Sequence, residues 1–276
     1  MSAVGDIVRA ASRERYVATL FAPEAKREAL FSLYAFDAEI DRIRDLAHEP
    51  MPGEIRLQWW RDVANGQRDG EARGHPVASA LLQTIAAHDL PRAAFDAYCE
   101  ARIFDFYHDV MPDQTALEAY LGATQSAIVQ LAAMVLDKDA ARQASEAAGH
   151  AGVALGLVKM LRQLPLIRRR GQGFVPQTVL AAAGVSNEEF LSGGDVLAGK
   201  RLAAALSALA QSHLTKFRTL EPSLPKPLRP SFLPLDSAAR RLRALEKQDD
   251  PLNHSVDVSP LALTWDVAMA AFRGPR

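Results

Sequence analysis

Cysteine is nearly absent from this chain of 276 residues: Cys99 stands alone. One thiol excludes an internal disulfide and a thiolate-based zinc site. A surplus of either charge is also missing, with 32 Lys and Arg against 33 Asp and Glu. A general nucleic-acid binder shows a basic excess, so nucleic acid is not an expected partner. No apolar run approaches the roughly 18 residues of a spanning helix, and no transmembrane segment is expected. The first residues, MSAVGDIVRAASRERY, lack the apolar stretch of a secretory leader. The expected location is the cytoplasm, with peripheral contact to a membrane left open. Alternating β-branched runs are scarce too, so no strand is predicted.

What the chain has is helical pattern. It is 49% hydrophobic and rich in alanine, enough to bury a substantial core. Apolar periodicity predicts helices over about 23–47, 54–67, 75–88, 91–110, 114–136, 138–168, 175–183, 186–192, 196–219, 235–247 and 258–272. Stops are read at EPMPG (49–53), at Gly66, Gly70 and Gly74, and at Pro91 and Pro112. Pro23 suits a first helical turn, and Ser186 before NEE reads as a cap. Residues 1–14 are left open to disorder. The stretch LEPSLPKPLRPSFLP, 220–234, is too proline-rich for a continuous helix and reads as an extended strap to C-terminal helices of the same domain. The expectation is a single all-α domain over 1–276.

The most informative helix is PEAKREALFSLYAFDAEIDRIRDLAH. Ala29, Leu33, Phe36, Ile40, Ile43 and Ala47 recur at steps of three and four as a core stripe. Asp37, Asp41 and Asp45 are spaced four apart, one above another, at the edge of that face. Stacked carboxylates repel unless something positive lies between them. Two answers fit the spacing: neighbouring arginines, with Asp41–Arg44 as an i,i+3 pair, or a divalent cation such as Mg²⁺. Asp105 and Asp109 are also four apart; they fit a replacement metal wall, and an ordinary amphipathic helix explains them better. His75, before Pro76, reads as a helix-start residue, and Trp59 and Trp60 as aromatics that pack the core or seat a partner.

From these residues onward the chain resembles the squalene/phytoene synthase family. The likeness rests on Leu33-Tyr34-Ala35-Phe36, followed by D-x-x-x-D at Asp41 and Asp45, and on LQWWRDV (57–63), HPVASAL (75–81), HDLP (88–91), Asp105 and YLGATQSA from Tyr120. It extends through GLVKMLRQLPLIRRRGQGFVP and weakens beyond about residue 180. The resemblance implies an isoprenoid-synthase-like helical bundle around a central cavity. It implies two aspartate motifs facing each other and Mg²⁺ ions between them that bind an isoprenoid diphosphate. The product class would be squalene- or phytoene-like.

The second motif is degraded. The family pattern is approximately Q-x-x-N-x-x-R-D-x-x-E-D. Here Gly156 holds the glutamine position, Lys159 the asparagine, and Arg162 keeps the arginine. Gln163 holds the aspartate, and Leu166 and Ile167 hold the acidic pair. No carboxylate remains from Lys159 through Pro176. In the first motif Arg42 replaces an aspartate and Ala38 a usual arginine. With Phe36-Asp37-Ala38-Glu39 and Gln58-Trp59-Trp60, the pattern is most similar to the non-catalytic branch related to the mitochondrial complex I assembly factor. That implies a pseudoenzyme acting by binding, with no cofactor and with respiratory complex subunits or assembly proteins as partners. An isoprenoid or lipid in the old cavity fits the same reading. The alternative is a working Mg²⁺-dependent prenyltransferase. Lys159 either pairs with Asp41 or Asp45, or joins Arg162, Arg168, Arg169 and Arg170 in binding an anion without metal. The last three also fit a solvated helix end.

Overall fold

A computed structural model describes residues 2–47 and 49–273, and no strand occurs among them. The first half contains α1 (Ala3–Ala11), α2 (Arg13–Leu20), α3 (Glu24–Leu46), α4 (Pro50–Ala64), the single turn α5 (Asp69–Ala72), α6 (Pro76–His88), α7 (Arg92–Arg102), α8 (Gln114–Leu121) and α9 (Ala127–Leu136). There follow α10 (Lys138–Gln143), α11 (Ser145–Arg169), α12 (Gln177–Ala182), α13 (Asn187–Ser192), α14 (Val196–Leu220), α15 (Arg229–Phe232), α16 (Pro234–Leu245) and α17 (Pro260–Arg273). One buried core runs from Val4 on α1 to Leu252. α11 lies at its centre, against α14, α16 and α9.

The apolar stripe of α3 is buried as its spacing predicts, from Ala29 to Ala47. Ser186 caps α13 in a reciprocal capping box with Glu189. His75 caps α6, its Nδ1 accepting from Ala78 N–H at 3.3 Å. Trp60 is buried edge-on against Phe36.

Several boundaries differ from expectation. Residues 3–11, left open to disorder, form α1, whose Val4 and Val8 are buried. EPMPG does not stop a helix; it starts α4, because prolines in a first turn lack only N–H groups that would have no helical partner. The predicted helix 91–110 ends at Arg102 and tightens into a 3₁₀ turn, Ile103–Phe106. The predicted 138–168 breaks at Ala144. The strap at 220–234 is not extended. It winds through 3₁₀ turns Glu221–Ser223 and Lys226–Leu228 into α15, burying Leu228 and Phe232.

α8 and α9 are joined by a π turn, Gly122–Ser126, into one helical stretch. Gln114–Leu136 is long and apolar enough to cross a membrane, with mean hydropathy 1.4 over its most apolar 18 residues. This corrects the expectation that nothing in the chain reaches that length. The stretch packs as a core helix, with 61% of that window buried. Gly152 on α11 allows the π turn to approach: a Cβ there would lie 2.2 Å from the Ser126 backbone.

Candidate functional site

The structure brings the two degraded motifs to opposite sides of a cavity. α3 supplies the aspartate row and α11 supplies Lys159, Gln163 and Leu166. The row is not uniform. Asp37 is 2% exposed, while Asp41 is half-buried and Asp45 reaches solvent. Asp37 is therefore the buried end of the row.

Each carboxylate has a cation. Asp37 pairs with Arg15 from α2. It also accepts the Tyr98 hydroxyl and, at 3.3 Å, the Gln125 amide. Arg15 donates its other nitrogen to Gln125 Oε1 at 2.9 Å and lies over the Tyr34 ring, 5.1 Å from its centroid. Burial alone would raise the Asp37 carboxyl. The charges of Arg15 and then Lys159, with the Tyr98 and Arg15 hydrogen bonds, outweigh it and hold the group well below the usual carboxylate range. Asp37 stays ionised.

Asp41 is bridged on both oxygens, by Arg102 at 2.7 Å on Oδ1 and by Lys159 on Oδ2. Arg102 also lies 2.8 Å from Asp105, in charge contact without hydrogen-bond alignment at Nε. Asp105 is buried, accepts the Tyr120 hydroxyl at 2.7 Å, and its backbone carbonyl accepts Gln172 at 2.9 Å. Burial pushes the Asp105 carboxyl up, against the opposing pull of Arg102 and Tyr120. Asp45, nearer the mouth, pairs with Arg170. The buried network thus sets Asp37, Asp41 and Asp105 against Arg15, Arg102 and Lys159, one cation per carboxylate.

The Lys159–Asp41 pair stands between two hollows. One, of about 180 Å³, is lined by Asp45, Asp105, Tyr120, Leu166 and Phe174. The other, of about 270 Å³, is lined by Arg15, Tyr34, Asp37, Leu155 and Arg162. Asp41, Lys159 and Gln163 border both.

Some sequence-level assignments are corrected. Arg44 does not pair with Asp41; it donates to the Ala47 carbonyl at 3.0 Å, and Arg42 pairs with Glu39. Asp105 and Asp109 do not share an amphipathic helix: Asp105 lies in the 3₁₀ turn and is buried, while Asp109 is exposed beyond it. The five cations from Lys159 to Arg170 do not converge on an anion site. Lys159 and Arg170 go to Asp41 and Asp45. Arg162 lies 3.7 Å from Asp257, and Arg169 is exposed. Nor is Arg168 a solvated helix end. It donates to the carbonyls of Leu191, Ser192 and Leu252 and to Asn253, tying α11 to the chain on both sides of α14.

The residues present do not fit a Mg²⁺–diphosphate cluster. Among the described residues no group of three or more His, Cys, Asp or Glu is placed to hold a metal. Both oxygens of Asp41 are taken by cations, and Asp45 by a third. The opposite wall offers Lys159, Gln163, Leu166 and Ile167. Mg²⁺ needs oxygen ligands, and an ammonium where they should be repels it. At Gly156, the glutamine position of the resemblance, a Cβ would already lie 2.5 Å from Leu121. Arg15, Tyr98, Arg102 and Gln125 complete the site and were not singled out from the sequence. The i,i+3 spacing of Arg102 and Asp105 was the one readable signal.

The family model for squalene/phytoene synthase matches residues 8–263, so the chain belongs to that family. NADH dehydrogenase (ubiquinone) complex I, assembly factor 6, from Bos taurus is 27% identical over 250 residues, 90% of this chain and 74% of the relative. The Homo sapiens protein of the same name is 26% identical over the same shares. Presqualene diphosphate synthase from Zymomonas mobilis is 28% identical over 178 residues, 64% of this chain and 60% of that protein. A dehydrosqualene synthase structure superposes with TM-score 0.75 at 18% identity, covering 96% of this chain and 94% of that one. The squalene synthase of Alicyclobacillus acidocaldarius superposes with TM-score 0.66 at 20% identity, covering 96% and 90%. These superpositions show an isoprenoid-synthase fold.

Proposed function

We propose that this squalene/phytoene synthase family member acts by binding, not by ionising an isoprenoid diphosphate, and that it serves in assembly of respiratory complex I. The observation that carries the reading is the internal neutralisation of the cavity: Arg15, Arg102 and Lys159 fill the places beside the carboxylates that metal would need. A metal-held diphosphate leaves because positive charge develops against it, and electrostatic stabilisation of that kind is usually the largest catalytic contribution. Here the positive charge is fixed on side chains and already spent on carboxylates. The complex I role rests on the assembly factor 6 relatives, which match along 90% of this chain.

Partners are then respiratory complex subunits or assembly proteins. The two hollows offer room for a small apolar ligand such as an isoprenoid or lipid tail. No cofactor is required. The second reading, an active prenyltransferase, is favoured by the presqualene diphosphate synthase relatives. A deletion strain separates the two. Loss of assembled complex I on native gels, restored by the wild-type gene, supports the assembly role. Intact complex I together with loss of a squalene-type lipid contradicts it.

A further inference from the structure

α17 is apolar on two sides. Leu263 and Val267 are buried against the body of the protein at 3% and 0% exposure. Leu261, Trp265 and Phe272 fall on the opposite side by helical spacing and are 77%, 63% and 79% exposed. Phe272 meets Phe21 edge to face at 5.7 Å, and Leu20 and Phe21 extend the exposed apolar ridge. A helix hydrophobic all round belongs in an apolar setting. This one has such a setting on one side only.

Charge beside the ridge identifies what covers it. Trp265 borders a surface hollow of about 220 Å³ into which Arg218, Arg229, Arg240, Arg243 and Arg273 reach. Its acids are Glu221, Asp236 and Asp266. Two of the arginines have structural duties: Arg240 pairs with Asp266, and Arg229 donates to the Ala270 carbonyl. Among the described residues Arg218, Arg243 and Arg273 appear in no ion pair. Among the described residues, five arginines and three carboxylates line the hollow, a local excess of positive charge in a chain whose net charge is −1.

We infer that the α17 face docks the protein onto an anionic lipid bilayer. Trp265 and Phe272 would sit at the boundary between headgroups and acyl chains, where amphipathic and aromatic rings are favoured. The arginine-lined hollow would face lipid phosphates, which attract clustered guanidinium groups. A second copy of the chain is the poorer occupant. In a symmetric dimer the patch meets itself, which sets arginines against arginines. The docking is independent of the cavity reading, since a synthase would dock equally well.

Flotation of the full chain with vesicles tests the inference. Vesicles of phosphatidylcholine mixed with phosphatidylglycerol should carry the protein, and phosphatidylcholine alone should carry far less. Trp265→Ala with Phe272→Ala should weaken binding about tenfold or more, because both rings lose their place in the interface. Arg243→Glu should weaken it several-fold, and added salt should do the same to the wild type. Emission from Trp265 should shift to the blue on anionic vesicles, and Trp265→Phe, which keeps Trp59 and Trp60, should abolish the shift. Equal binding to neutral and anionic vesicles, or binding untouched by both variants, overturns the inference. So does a dimer in solution that the Trp265/Phe272 variant dissociates, since a second copy would then cover the face.

Discussion

Lys159 on α11 and Asp41 on α3 close an ion pair across the cavity, joining residues 118 positions apart in sequence. The pair joins the two walls of the cavity directly. Both side chains are 29% exposed, so the contact is partly screened. Lys159→Ala should therefore cost only about 1 kcal/mol of stability by urea unfolding, since Arg102 still neutralises Asp41. A loss several times larger would show that the pair holds the two helices together.

Restoring acid to the α11 wall should restore metal affinity. Gln163 is half-buried and borders both hollows, whereas Ile167 is only 5% exposed. Lys159→Asn with Gln163→Asp should bind Mg²⁺ measurably by calorimetry, with the wild type giving no heat of binding. Ile167→Asp should instead destabilise the fold, by about 3 kcal/mol or more, because it buries a carboxylate among apolar neighbours. Equal stability of the two variants would mean that α11 is rotated from its present placement.

Acid should release the Arg15–Asp37 pair. The Asp37 carboxyl lies below its ordinary value in the folded protein, so the unfolded chain takes up the proton first as pH falls. Its contribution is fully present above the unfolded pKa of about 4 and is lost as pH drops through the lower folded value. Asp37→Asn leaves the buried Arg15 cation facing an amide. It should cost about 3–5 kcal/mol at neutral pH and flatten the acid limb of the stability profile. Unfolding midpoints followed from neutral pH downwards check both; an unchanged acid limb would contradict the assignment.

Two glycines on α11 should behave in opposite ways. A Cβ on Gly152 would lie 2.2 Å from the Ser126 backbone, while Gly149 has nothing within 4 Å. Gly149→Ala should stabilise the protein by about 0.5–1 kcal/mol through helix propensity. Gly152→Ala should destabilise it by about 2 kcal/mol or more, since the π turn must move. Thermal unfolding of the two variants checks the sign of each.

Local pattern made the helices legible. The α3 stripe, the Ser186 cap and the four-residue spacing of the aspartates are all short-range facts. The breaks were not, because apolar periodicity runs on through them. The π turn at 122–126 and the junction at Ala144 leave the local pattern intact and show only in the packing. The facing of Lys159 towards Asp41 was among the readings of the resemblance. The partners of Asp37 were beyond reach: Arg15 comes from a segment with no helical assignment, and Tyr98 from a helix read only as amphipathic. The arginines at 168–170 misled because adjacent like charges suggest one shared role. The end of the helix instead sends Arg168 and Arg170 to different partners.

The claim at the centre of the account is that Arg15, Arg102 and Lys159 occupy the electrostatic role that Mg²⁺ plays in catalytic relatives. Incubation of the purified protein with Mg²⁺ and farnesyl or geranylgeranyl diphosphate, followed by pyrophosphate release, measures it directly. The account predicts no release above the protein-free rate, with or without chelator. Chelator-sensitive release at ordinary enzyme rates, of about 1 per second or faster, would contradict it.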